Sequence, residues 1–235
     1  MCAIHIQKKI FNNRSAQRWW LIESLKNFKN KLDQFNIDLE VVEAESYKEV
    51  FQTMSKKKNL SIYWNKIYEP QFLLFDQKIT NFLNLNKINF KIFKGNLLNE
   101  SDEIKKSDNT PFKVFTPFWR VAEKIYLDKG FKKNEKVKSK NKKIKFLDKA
   151  IKLENLFIEK KWPKKFENFW KPSEEEAMKN IRHFIKNGLD EYGESRNIPG
   201  IEGTSKISPY LAFGQIHVET IWEECQEIQN KTRGY

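Results

Sequence analysis

Cysteine is almost missing from these 235 residues. Cys2 and Cys225 are the two present, too few for a disulfide framework. Long apolar runs are missing as well: no stretch approaches the roughly 18 residues that a membrane-spanning helix needs. The opening MCAIHIQKKIF lacks the apolar run of a secretory leader, so export is not expected. Arginine is scarce at six residues, which leaves 38 Lys among the 44 basic side chains. These absences lead to the expectation of a cytoplasmic, globular, basic chain with no membrane partner.

What is present supports a core. Seven Trp and nineteen Phe accompany 39% apolar residues, which argues against disorder. The length suits one large domain or two small ones. A formal net charge of +13 suggests polyanionic partners, since Lys and Arg on phosphates release counterions. However, Phe131–Lys145 (FKKNEKVKSKNKKIK) carries eight Lys and one Glu, which is +7 of the +13. A solvated linker accounts for that run, so charge alone does not establish DNA binding.

From Ala3 to about Phe93 the pattern alternates. Ala3–Ile6, Leu39–Val42, Leu60–Trp64 and Asn89–Phe93 read as strands. Between them, Leu21, Leu25, Phe28, Leu32 and Phe35 form one helical stripe. Gln71–Leu85 carries a second, with Phe72, Phe75, Ile79, Phe82 and Leu83, and Tyr47–Met54 a shorter one. Such alternation predicts a parallel sheet covered by helices. Thr110–Arg120 (TPFKVFTPFWR) reads as a buried connection that begins a helix at Pro117. Further on, Ser173 and Glu176 make a capping box, with Glu174 and Glu175 suited to the helix N-terminus. Ala177, Ile181, Phe184 and Ile185 supply that helix's buried face, and a last helix carries Val218, Ile221, Trp222, Cys225 and Ile228. No internal repeat is present.

The most informative segment is YGESRNIPGIEGTSKISPYLAFG, residues 192–214. Glycine at 203 lets backbone approach closely, and Thr204, Ser205 and Ser208 can donate to phosphate oxygens. Lys206 adds positive charge, and Pro209 suits the first turn of a helix whose N-terminus favours anions. A Gly-Thr-Ser turn that merely caps a helix is the alternative. His5, His183 and His217 show no ligand spacing with the cysteines, so no metal is assigned.

The spacing of Tyr192, Arg196, Pro199, Gly203-Thr204-Ser205, Ser208-Pro209 and Phe213-Gly214 closely resembles the flavin-binding signature of the DNA photolyase/cryptochrome family, with Ile207 in place of its Leu. Thr110–Arg120 resembles that family's interdomain TPYKVFTPFW element, and Tyr63–Pro70 (YWNKIYEP) its WNRRYEP strand end. Arg18-Trp19-Trp20 with the following helix fits the second helix of its antenna domain. The resemblance implies an α/β, Rossmann-like parallel-sheet antenna domain over 1–128, without the family's first strand. A Lys-rich interdomain linker over 129–172 follows, then the start of an all-helical FAD-binding domain over 173–235.

By the same resemblance, Tyr192, Thr204, Ser205, Lys206, Ile207 and Ser208 would contact FAD. Arg196 would contact a DNA phosphate, an ion pair with Glu191 or Glu194 being the alternative. The implied activity is a deoxyribodipyrimidine photolyase: reduced, photoexcited FAD passes an electron to a flipped-out pyrimidine dimer in UV-damaged DNA. A monomer is implied. A cryptochrome photoreceptor with the same flavin site, or a flavin-free basic nucleic-acid-binding remnant, are the alternatives. Pro70-Gln71-Phe72 follows Tyr68-Glu69 where folate-binding members place Asn-Glu, so the antenna chromophore, folate or deazaflavin, is unassigned. Trp119 and Trp222 read as core. No catalytic residue is assigned, and the family's lesion-gripping helices would lie beyond Tyr235. The chain alone is therefore expected to be marginally stable and not to repair DNA, with an open sheet edge and with Val218, Trp222 and Cys225 unpartnered.

Overall fold

The computed structural model describes residues 2–6, 15–44, 47–56, 60–100, 102–129, 150–152, 156 and 163–233. The Lys-rich run 131–145 lies outside them. Four strands and three helices alternate first: β1 (Cys2–Ile6), α1 (Ser15–Asp33), β2 (Leu39–Glu43), α2 (Tyr47–Ser55), β3 (Ser61–Asn65), α3 (Pro70–Leu85) and β4 (Asn89–Phe93). Then come α4 (Phe115–Lys129), β5 (Ala150–Ile151), α5 (Pro163–Glu167), α6 (Glu174–Asn187), α7 (Tyr192–Ser195), α8 (Ser208–Ala212) and α9 (Val218–Arg233).

The α/β expectation holds, but the sheet is in two pieces. β1 and β2 pair in parallel, Cys2 opposite Leu39 through Ile6 opposite Glu43. β3 and β4 pair in parallel, Ser61 opposite Asn89 through Asn65 opposite Phe93. Among the described residues the strands form a three-stranded sheet in the order β1-β2-β5 and a two-stranded sheet of β3 and β4. On its other side β2 takes β5 antiparallel, with Val41 opposite Ile151. The segment read as a linker over 129–172 thus contributes a strand, and its Leu156 is buried with Ile22, Leu25, Leu39 and Val41.

Local chemistry accounts for the helix ends. Asn36 and Lys87 adopt left-handed backbone (φ 54° each) just after α1 and α3. The next amides reach back five residues, Ile37 to the Leu32 carbonyl (3.1 Å) and Ile88 to Leu83 (3.0 Å). This is the Schellman closure, and it turns each helix directly into a strand. Ser173 caps α6 as expected, its Oγ accepting from the Glu176 N–H at 3.1 Å, and Ala177, Ile181 and Ile185 are buried behind it. The stretch before α4 departs from expectation. The helix begins at Phe115, and Val114 and Phe115 are 63% and 70% exposed. Their apolar side chains face outward, so the connection is not buried.

α1 buries two faces rather than the single stripe its leucines suggest. Ile22 and Leu25 pack on β2, while Phe28 of the expected stripe is 40% exposed. The second face carries Trp20, Ser24, Asn27 and Lys31 at helical steps of four, three and four. It docks the helical segment. Trp20 Nε1 donates to Gln215 Oε1 (2.9 Å), Asn27 Nδ2 donates to the Pro172 carbonyl (3.1 Å), and Lys31 pairs with Glu174. A second seam joins β4 to α9. Lys94 pairs with Glu219. His217 donates from Nε2 to the Gly95 carbonyl (2.8 Å) and accepts the Glu219 N–H at Nδ1 (3.2 Å).

That seam overturns the expectation of bare faces on α9. Trp222 stacks edge-on against Trp119 (5.7 Å between centroids) and tilts onto Tyr126 (5.7 Å). Cys225 is packed against the α6–α8 cluster, and burial pushes its thiol pKa up. α4 supplies the cover, which short-range periodicity in α9 does not reveal. The core role read for Trp119 and Trp222 stands.

Candidate functional site

A cleft of about 380 Å³ opens between α6 and the turn before α8. One wall is the turn itself, with Glu202, Thr204, Ser205 and Lys206. The other is α6, presenting Glu176, Asn180, His183 and Asn187 at steps of four, three and four beside its buried apolar face. Phe169, Trp170 and Phe184 supply aromatic surface. A cavity of this size, with a few polar groups converging on aromatic walls, suits a small ligand.

The turn owes its position to Gly203, which is buried. A Cβ there would lie 2.4 Å from the Ser195 carbonyl oxygen and 2.6 Å from its carbon, so the turn lies directly on the end of α7. Lys206 has left-handed backbone (φ 52°). Its ammonium pairs with Glu202, four residues back. The hydrogen bond from Lys206 and its positive charge hold the Glu202 carboxyl below its usual range. The Lys206 ammonium is therefore already shared with a carboxylate, and an incoming anion must compete for it.

Three of the six residues expected to contact a cofactor come together in the cleft: Thr204, Ser205 and Lys206. The other three lie around it. Ile207 is buried among Trp20, Ile181 and Tyr210, anchoring the turn from below. Ser208 opens α8. Tyr192 meets Phe184 edge-on at 5.6 Å, so it backs the cleft wall. Arg196 is exposed, with its guanidinium 5.7 Å over the Tyr192 ring. Among the described residues it makes no ion pair with Glu191 or Glu194. The α6 polar stripe and Trp170 were not singled out from sequence, although the 176, 180, 183, 187 spacing was there to be read. Among the described residues no group of three or more His, Cys, Asp or Glu is placed to hold a metal ion, and no helix is long and apolar enough to cross a membrane.

The sequence pattern of the DNA photolyase family matches residues 2–138. The chain belongs to the DNA photolyase family. It is 29% identical over 216 residues to the deoxyribodipyrimidine photo-lyase of Agrobacterium fabrum, across 91% of this chain and 44% of that protein. Cryptochrome-2 of Arabidopsis thaliana is 25% identical over 214 residues, across 88% of this chain and 35% of that protein. The crystal structure of a bacterial class III photolyase from Agrobacterium tumefaciens superposes with a TM-score of 0.78 at 27% identity, covering 95% of this chain and 46% of that one. The chain thus spans less than half the length of each of these three relatives. A cryptochrome of Synechocystis sp. PCC6803 superposes with a TM-score of 0.72 at 19% identity, so photolyases and a cryptochrome share its fold.

Proposed function

We propose that this chain serves a deoxyribodipyrimidine photolyase and holds part of an FAD between α6 and the 203–208 turn. The division that goes with it is an antenna domain over 1–128, a connection over 129–172 and the beginning of an FAD-binding helical domain over 173–235. The observation that carries the reading is the convergence of Thr204, Ser205 and Lys206 on one side of an aromatic-walled cleft. Two hydroxyls and an ammonium suit phosphate oxygens, and Trp170 and Phe184 exclude water from one side. The donor set therefore fits the phosphate-bearing part of FAD. Thr204 and Ser205 would donate to it, Lys206 would exchange Glu202 for it, and Ile207 would keep the turn seated. When bound and reduced, FAD supplies the light-driven electron that splits a flipped-out pyrimidine dimer. Arg196, exposed and without an acidic partner among the described residues, would meet a phosphate of the UV-damaged strand.

Titration of the 235-residue chain with FAD, followed by flavin fluorescence, tests the cofactor site. Saturable binding is expected, weakened about tenfold or more in a Thr204→Val/Ser205→Ala double variant, which removes two donors. Absence of binding, or equal affinity in the double variant, refutes the site. Repair is tested on the product of the full reading frame, as light-dependent loss of cyclobutane dimers from an irradiated oligonucleotide. A product that binds FAD yet leaves the dimers intact would favour the photoreceptor reading.

A further inference from the structure

We infer that Trp20, a residue of the α/β unit, is a positioning residue for the cofactor cleft of the helical segment. The inference rests on the FAD reading above but concerns a side chain outside that site. Trp20 is 6% exposed and stands directly behind the cleft wall. Its ring meets Trp170, which lines the cleft, at 5.5 Å, and Tyr210 of α8 at 5.0 Å, both edge-on. It stacks on Phe213 at 6.2 Å. Its Nε1–H donates to Gln215 Oε1 at 2.9 Å, just past the end of α8.

These contacts bracket the turn. Ile207, the residue after Lys206, lies in the same buried cluster as Trp20. Tyr210 ties α8 to the start of α6, its hydroxyl donating to the Lys171 carbonyl at 3.3 Å. The turn that presents Thr204 and Ser205 thus hangs from α8, and α8 is set in register by an indole from α1. The directional hydrogen bond to Gln215 matters here, because apolar packing alone fixes depth better than rotation. Two polar contacts between α1 and the helical segment, at Asn27 and Lys31, hold the same docking without involving a residue that lines the cleft or belongs to α8.

The test compares FAD affinity with melting temperature across four variants of the 235-residue chain. Trp20→Phe keeps an aromatic ring and loses the N–H, and Gln215→Leu removes the acceptor. Lys94→Ala and Asn27→Ala loosen the docking away from the cleft. Trp20→Phe and Gln215→Leu are expected to weaken FAD about tenfold, because each breaks the part-buried hydrogen bond that sets α8 beside the turn. Lys94→Ala and Asn27→Ala are expected to lower the melting temperature with affinity unchanged. If all four lose affinity in proportion to stability, Trp20 acts only by holding the units together and the inference fails. If Trp20→Phe binds FAD as tightly as the unaltered chain, it fails outright. If the unaltered chain does not bind FAD, the cofactor reading itself fails, a separate outcome that removes this inference with it.

Discussion

Replacing Gly203 with Ala attacks the cradle at its tightest point. The new Cβ would sit 2.4 Å from the Ser195 carbonyl oxygen, 2.6 Å from its carbon and 2.8 Å from its Cβ, where about 3.0 Å is the floor for real contacts. Reaching that floor requires a displacement of at least 0.6 Å, the difference between 3.0 and 2.4 Å. The nearest obstacles are backbone atoms, so no flexible side chain can swing aside, and either the turn lifts or α7 moves. Overpacking of this kind costs about 1–3 kcal/mol. For a chain of this size each kcal/mol corresponds to about 2–4 °C, so the melting temperature should fall by about 2–12 °C. FAD affinity should fall with it, because lifting the turn moves Thr204 and Ser205. Gly193→Ala is the control. It lies in α7 with nothing within 4 Å of its added Cβ, and alanine's better helix propensity should leave the protein unchanged or up to about 1 kcal/mol more stable. Thermal melts followed by circular dichroism read both variants. A Gly203→Ala protein melting with the unaltered chain would refute the close-approach argument.

Three further outcomes follow from particular contacts. Ser173→Ala removes the oxygen that caps α6 and should cost about 1 kcal/mol, with Ser173→Asp restoring it; equal melts for all three would contradict the cap. Tyr126 is 2% exposed, and its hydroxyl has no hydrogen-bond partner among the described residues. Tyr126→Phe should therefore raise stability by about 1 kcal/mol, and a lower urea midpoint would overturn that reading. Burial pushes the phenols of Tyr126 and Tyr210 up to about 12 from an ordinary 10.0. The unfolded chain then releases these protons first as pH rises, so stability present below about pH 10 should drain away toward pH 12. Urea midpoints across that range should flatten in Tyr210→Phe, and an unchanged slope would argue against the shift.

Much of the fold was legible because its signals are local. The four strands fall within a residue or so of their sequence positions, since β-branched and aromatic runs bounded by polar turns need only neighbours to be recognised. The capping box at Ser173 and the flavin-like spacing from Tyr192 to Gly214 are likewise properties of short stretches. What failed was long-range. Val114 and Phe115 looked buried by composition and are exposed. Trp222 and Cys225 looked unpartnered and are packed, because their cover comes from α4 and from the α6–α8 cluster, distant along the chain.

α1 shows where the division lies. Its leucines predict one buried face, and that face is real at Leu25. The same helix carries Trp20, Ser24, Asn27 and Lys31 on a second face, polar enough to pass for solvent-exposed until the helical segment closes on it. Likewise the six cradle residues are adjacent in sequence, but tertiary structure sorts them. Thr204, Ser205 and Lys206 face the cleft, Ile207 turns into the core, and Lys206 is drawn onto Glu202. Periodicity and spacing act over one or two turns of chain, so the sequence alone determined the elements, the family and the chemical character of the turn. Which side chains meet across 200 residues depends on how the elements dock, and only the packed structure decided that the cleft's back wall comes from the other unit.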